Sequence, residues 1–185
     1  MRKLTALLLA LLFAAGAQAA EVGGVKLDDK VSLGGQDLVL NGAGIRTRAI
    51  FKVYVGSLYV PAKAGTAAAV FSKGPRRVQL NMLRDVGADT MIEALTDGVN
   101  QSNPAADVAA VKAQQAELAT ILKGIGQLKE GNVLTFDFVD GATRVGLNGA
   151  AKGTIAGEAF NKALTNAWIG DKPVQDDLKK AMLGG

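Results

Sequence analysis

Neither histidine nor cysteine occurs in this sequence. Without histidine there is no Ser-His-Asp or Cys-His nucleophilic machinery, no imidazole ligand for zinc or iron, and no side chain that ordinarily titrates near neutrality. Without cysteine no disulfide can staple the fold, so a hydrophobic core must hold it alone. Chemistry is left to Arg, Lys, Tyr, Asp and Glu. Hydrolase and metalloenzyme readings lose their usual residues, and neither a metal site nor a cofactor is expected. Excess charge is lacking as well. There are 21 Lys+Arg against 17 Asp+Glu, and without Arg2 and Lys3 the balance is 19 against 17. Such a mixed surface has no basic stripe and offers nucleic acid no footprint.

A long apolar run is missing too. Leu4 to Ala15 is too short to span a bilayer as a helix, and no later stretch approaches its length. That run follows Arg2 and Lys3 and precedes Ala17-Gln18-Ala19, the order of a cleavable secretory signal. The expectation is therefore a signal peptide over 1–19 and one domain over 20–185, periplasmic or secreted, with no stable membrane span.

What is present reads as strands, two helices, strands and two helices. Short apolar pieces from Val22 to Leu40 are punctuated by glycines and predict a hairpin-like entry. Gly42 and Gly44 then predict a turn into a β-branched and aromatic strand over 50–60, ended by Pro61. A second long strand is predicted over 76–84, with Val78, Leu80, Met82 and Arg84 on one face. Met91, Ile92, Leu95 and Val99 form one helical stripe. Asn103-Pro104 reads as the start of a longer helix running to about Gly124. Asp140-Gly141 and Asn148-Gly149 are two-residue hairpin signals, and helices follow from about Glu158 to Trp168 and from about Pro173. Segregated runs of this kind predict an α+β domain with helices on a mainly antiparallel sheet.

Three stretches, "LNGAGIRTRAIFKVYVGSLYVP", "LNMLRDV" and "AWIGDKPVQDDLKKAMLGG", resemble the chalcone isomerase-like family, in particular its exported bacterial branch. The resemblance implies an open-faced β-sandwich: a large antiparallel sheet covered by helices, with a ligand cleft between them. Enzymatic members close a chalcone into a flavanone with an arginine in a Gly-x-Gly-x-Arg stretch and with Thr, Tyr and Asn side chains. Others bind fatty acids through Arg and Tyr. Here Arg46 matches the arginine, whereas Val53, Met91 and Gly98 stand where the Thr, Tyr and Asn would be. The resemblance thus implies that the isomerase machinery is dismantled and the anion-binding half kept.

The candidate site residues are Arg46, Tyr54 and Arg84, as ligand-binding groups; no catalytic residue is assigned. Arg46 either solvates a strand entrance or meets a carboxylate or phenolate. Arg48 shares its parity and reads as surface. Arg84 either begins the turn after its strand, beside Asp85, or sits on the apolar face, where a guanidinium needs an anion. Tyr54 lies on the face opposite Phe51, Val53, Val55 and Tyr59, so one tyrosine at most should see the cleft. Asp85, Asp89 and Glu93 read as acidic residues at a helix start, and the "DDLKK" segment as a solvated face. The function expected is an exported, non-catalytic binder of a small apolar ligand with an anionic group, a fatty acid leading. The alternatives are an intramolecular lyase of the chalcone isomerase type and an envelope interaction module without a small ligand.

Overall fold

The computed structural model describes residues 20–72 and 74–185. The expected signal peptide lies outside them. The chain runs β1 (Ala20–Val22), β2 (Val25–Leu27), β3 (Lys30–Leu33), β4 (Gln36–Arg48), β5 (Phe51–Val60), α1 (Ala67–Phe71), β6 (Arg76–Met82), α2 (Ala88–Ser102), α3 (Ala105–Ala110), α4 (Lys112–Ile125), β7 (Val133–Val139), β8 (Ala142–Leu147), β9 (Ala150–Ala156), α5 (Glu158–Ile169) and α6 (Asp176–Met182). Strands β3 to β9 form one antiparallel sheet in sequence order, and β1 and β2 form a separate ribbon. This is the α+β arrangement that the segregated runs predict. Alternation along the central strands is nearly strict: Val78, Leu80 and Met82 of β6, and Leu134, Phe136 and Phe138 of β7, are buried. They meet Leu95, Val99, Phe160, Leu164 and Trp168 of the helices in one core. A second, smaller core on the other face packs Leu27, Leu38, Leu40, Val55 and Tyr59 beneath the β1–β2 ribbon. The Asp140-Gly141 and Asn148-Gly149 turns form as read, with all four residues at positive φ.

Gly42 and Gly44 do not make a turn. Both lie inside β4, a single strand of 13 residues, and the reversal into β5 comes later, at Ala49 and Ile50. The glycines answer to a neighbour instead. A Cβ on Gly42 would stand 2.0 Å from the Ala181 carbonyl oxygen, and one on Gly44 would stand 2.8 Å from the Ala181 Cβ. Helix α6 is thus seated directly on the β4 backbone. A bulge between Leu40 and Gly42 sets the phase of this contact. Before it, Leu38 and Leu40 face the smaller core; after it, Ala43 and Ile45 do. The extra residue, Asn41, turns Gly42, Gly44 and Arg46 toward the helices. Its buried amide donates to the Ala64 and Met182 carbonyls at 2.9 and 2.8 Å and accepts from the Ala64 N–H at 2.7 Å.

Other expectations are corrected. Strand β6 stops at Met82, so Arg84 has left the strand and is exposed. The buried cation of this strand is Arg76, 3 % exposed, held between the Phe71 and Phe138 rings with its Nε donating to Thr165 Oγ1 at 2.9 Å. Burial pulls its pKa down to about 10, against the nearby Glu158 charge. The helix after Pro104 is broken at Val111 into α3 and α4. Asn103 does not cap it; its amide donates to the Val99 and Ala163 carbonyls and ties α2 to α5. Asp89 sits in the first turn of α2, but Asp85 turns away and accepts from Gln127 Nε2 and the Glu130 N–H. Nor is "DDLKK" only a solvated face, because Leu178 within it is 1 % exposed.

If α6 is seated through the glycines, Gly42→Ala should destabilise by more than about 3 kcal/mol, since neither backbone can yield without unseating the helix. Gly65, where an added Cβ meets nothing within 4 Å, is the control. Gly65→Ala should leave the urea midpoint unchanged or slightly higher.

Candidate functional site

Between the open end of β4–β5 and helices α2 and α5 lies a cleft of about 590 Å³. Its volume falls within the range of small-molecule sites, about 300–1,000 Å³. One part is apolar, formed by Val53, Val86, Met91, Leu95, Trp168 and Val174. The other carries Arg46, Arg48 and Arg84 together with the acidic Asp85 and Asp97. All three candidate ligand-binding residues, Arg46, Tyr54 and Arg84, line it.

Arg46 and Tyr54 are cross-strand neighbours on β4 and β5. Arg46 is half-buried, and its guanidinium donates to the Thr47 carbonyl and to Gln175 Oε1, the latter at 3.2 Å. The same amide of Gln175 accepts from the Thr47 N–H at 2.9 Å and donates to the Ile45 carbonyl at 3.1 Å. Gln175 thereby satisfies the end of β4 and steers the arginine at once. Among the described residues Arg46 makes no salt bridge. A guanidinium cannot deprotonate to escape its surroundings, so part of its donor capacity is left for an anion.

Tyr54 is buried at 6 % exposure, and its hydroxyl oxygen accepts from Trp168 Nε1 at 3.0 Å. Burial pushes the phenol above its ordinary pKa of 10.0, opposed by the indole donor and by the positive charge of Arg46. The phenol therefore stays protonated at neutral pH. Since the indole N–H occupies the oxygen, the O–H proton can be donated beside the guanidinium. Tyr59 lies on the opposite sheet face, 0 % exposed, and only Tyr54 reaches the cleft. The face assignment needs one correction. A bulge opposite Arg46–Thr47 makes Val53 an extra residue of β5, so Phe51 and Val53 line the cleft along with Tyr54.

Arg84 sits at the rim, stacked 4.4 Å over the Phe51 ring rather than on the inner apolar face. It makes no pair with Asp85 among the described residues. Arg48, read as surface, is exposed but also lines the mouth. Sequence reasoning missed Gln175 and Trp168. Nothing in the local pattern marks Gln175, whose partners lie about 130 residues away; Trp168 reads as an ordinary inward position of α5.

Val53, Met91 and Gly98, which the sequence comparison sets against a Thr, a Tyr and an Asn, all line this cleft. None can order water or donate to an enolate. Gly98 also has a packing reason: a Cβ there would lie 2.9 Å from Val174 Cγ1 and 3.0 Å from Ala167 Cβ, where α2 crosses α5.

Residues 19–184 match the family model described as chalcone isomerase-like. The chain belongs to the chalcone isomerase-like family. Among solved structures, it is similar to a fatty-acid binding protein of Arabidopsis thaliana, with a TM-score of 0.68 at 10% identity over 86% of this chain and 92% of that one. At that identity the likeness speaks for the fold alone. Comparison with curated proteins returns no match. Among the described residues of this chalcone isomerase-like chain, no group of three His, Cys, Asp or Glu is placed to hold a metal ion, and no helix is long and apolar enough to cross a membrane.

The two tyrosines of the chain give a direct readout. Both phenols are pushed up by burial, Tyr59 to about 12. At pH 10 the folded protein should show much less phenolate absorbance than the chain in urea, where about half of each tyrosine should ionise. A raised folded pKa also means that the stability these groups contribute is complete below pH 10 and lost as pH rises through their folded values, about 12 for Tyr59.

Proposed function

We propose that this protein is an exported, non-catalytic member of its family that binds an apolar molecule with an anionic end, a fatty acid being the leading class, in the cleft between sheet and helices. The observation that carries this reading is the Arg46 guanidinium, without a salt bridge among the described residues, beside the neutral Tyr54 phenol in a cleft that also has an apolar wall. Guanidinium and phenol together offer a carboxylate a charge-assisted bond and a neutral one. Valine, methionine, leucine and tryptophan side chains offer the alkyl body a dry wall. The structurally similar Arabidopsis thaliana protein is a fatty-acid binding protein, which supports the ligand class by analogy. Placement in the exported bacterial branch rests on the order of residues 1–19.

The binding test is fluorescence titration with a long-chain fatty acid, read through Trp168, the single tryptophan, whose indole is tied to Tyr54. Loss of one charge-assisted pair removes about 2–3 kcal/mol, roughly 30- to 150-fold in affinity. Arg46→Ala should lose that much, and Arg46→Lys a large part of it, because an ammonium cannot present a planar fork. The melting temperature of the ligand-free variants should move by no more than about 4 °C, since Gln175 keeps its bonds to the β4 backbone. If Arg46→Ala binds fatty acids as tightly as the native protein, the arginine is structural and the reading fails.

Two further outcomes follow from the same proposal. Closure of a chalcone, followed by loss of its absorbance, should proceed at the uncatalysed rate, because Val53, Met91 and Gly98 line the cleft in place of polar groups. A rate that Arg46→Ala abolishes would establish the lyase instead. Protein recovered from its native source should begin at or near Ala20 and lie outside the cytoplasm; an N-terminus at Met1 would refute export.

A further inference from the structure

Among the described residues five antiparallel hairpins close through two-residue loops, and four of them follow one rule. The loops are Gly23-Gly24, Gly34-Gly35, Asp140-Gly141 and Asn148-Gly149, each between residues paired in register. All eight of these residues take positive φ, as the tight hairpin turn requires, and glycine supplies the second position every time. The fifth hairpin, at the mouth of the cleft, breaks the rule. Arg48 pairs with Phe51, and the loop between them is Ala49-Ile50. Ala49 is held at φ 52° without being glycine, asparagine or aspartate. Ile50 at the apex is 87 % exposed and Phe51 beside it 52 % exposed, and these two are the exposed large hydrophobic residues among those described. Ile50 does not share the positive φ, so this loop calls for glycine at its first position, and folding alone would favour Gly-Asn here. The tip carries apolar surface that stability does not ask for.

Its surroundings say what covers it. Arg48 and Lys52 flank the apolar pair on the two strands, and both are exposed. Arg84 reaches in from beyond β6 and lays its guanidinium over the Phe51 ring. Three cations therefore surround two protruding hydrophobic side chains. Asp85, the nearest acidic residue in sequence, is engaged with Gln127 and Glu130. An apolar point inside a cationic collar is the complement of a bilayer with anionic headgroups, where the point enters the acyl boundary and the collar meets the phosphates. A soluble protein partner would need an apolar pocket ringed by acids, and nothing in this chain points to one.

We propose that the β4–β5 tip docks this protein on an anionic lipid surface, with Ile50 and Phe51 entering the interface and Arg48, Lys52 and Arg84 contacting headgroups. Phe51, Arg48 and Arg84 also line the cleft mouth, so docking sets that mouth against the membrane. An amphiphile could then pass between bilayer and cleft without crossing water. Docking is a property of the tip and does not depend on which ligand the cleft takes.

The test is flotation with vesicles of phosphatidylcholine and phosphatidylglycerol in equal parts, against phosphatidylcholine alone. It uses ligand-free chain beginning at Ala20, the unit that holds both cores, so that the apolar residues 4–15 cannot enter lipid themselves. The protein should float with the anionic vesicles at low salt, and less so with the neutral ones. The double substitution Ala49→Gly with Ile50→Asn, which puts glycine where the loop needs positive φ and a polar residue at the apex, should cut vesicle partitioning by about tenfold or more. The same variant should melt at the same temperature or higher, which separates lost docking from lost folding. Lys52→Glu should weaken binding to the anionic vesicles more than to the neutral ones. Absence of flotation, or equal flotation by the Gly-Asn variant, would overturn the proposal. So would a stable dimer in solution that the Gly-Asn variant abolishes, which would make the tip a protein interface. Failed fatty-acid binding with intact flotation would remove the ligand reading and leave this one standing.

Discussion

The seating of α6 on the bare backbone of β4 is the contact on which the site depends. Two glycines remove the side chains that would hold the helix off, and the Ala181 carbonyl and methyl occupy the space. Leu178 then packs into the main core. The residue just before the helix, Gln175, lies against the last stretch of β4, where its amide binds Ile45, Thr47 and Arg46 together. Moving α6 outward by the width of a methyl group would break these bonds and release the arginine. The placement of the guanidinium in the cleft is therefore a consequence of helix–strand packing. It is not a feature of the arginine's own strand.

Two bulges complete the arrangement. The one at Asn41 reverses the alternation of β4, so that leucines before it and Arg46 after it face opposite cores. The one at Val53 lets Phe51, Val53 and Tyr54 share the cleft although they are not two residues apart. Each bulge shifts the pleat by one residue, and a one-residue shift exchanges faces. Without the first of them Arg46 would lie with Leu38 and Leu40 under the β1–β2 ribbon, on the sheet face away from this cleft.

Much of the fold is legible in the sequence because its signals are local. Asp140-Gly141 and Asn148-Gly149 specify their turns through their own backbone preferences, and β6, α2 and α5 through side-chain period. The site is less legible because its determinants are not local. Gly42 and Gly44 look like turn residues, and only the presence of Ala181 about 140 positions away shows that they clear space for a helix. Parity assigned Arg84 to an inner face because the pattern cannot show that the strand ends at Met82, and it overlooked Arg76, whose aromatic and hydroxyl partners come from α1, β7 and α5. Arg46 and Tyr54 do line the cleft, but the pattern that singles them out stops short of their geometry. Neither Gln175 nor Trp168, the groups that orient them, carries a signal in its own neighbourhood.

The central claim is that Arg46 meets the anionic end of a bound amphiphile, and the carboxyl group itself can report on it. A fatty acid labelled with carbon-13 at the carboxyl carbon would be bound to the protein and its resonance followed as pH is lowered. Pairing with a guanidinium and a phenol O–H favours the ionised form, so the bound carboxyl should remain ionised well below the pH at which a solvent-exposed carboxyl protonates, near about 4 to 5. In Arg46→Ala that depression should be lost. A bound carboxyl that titrates like an exposed one in the native protein, and identically in the variant, would mean that the headgroup lies in solvent and that the cleft holds its ligand without the arginine.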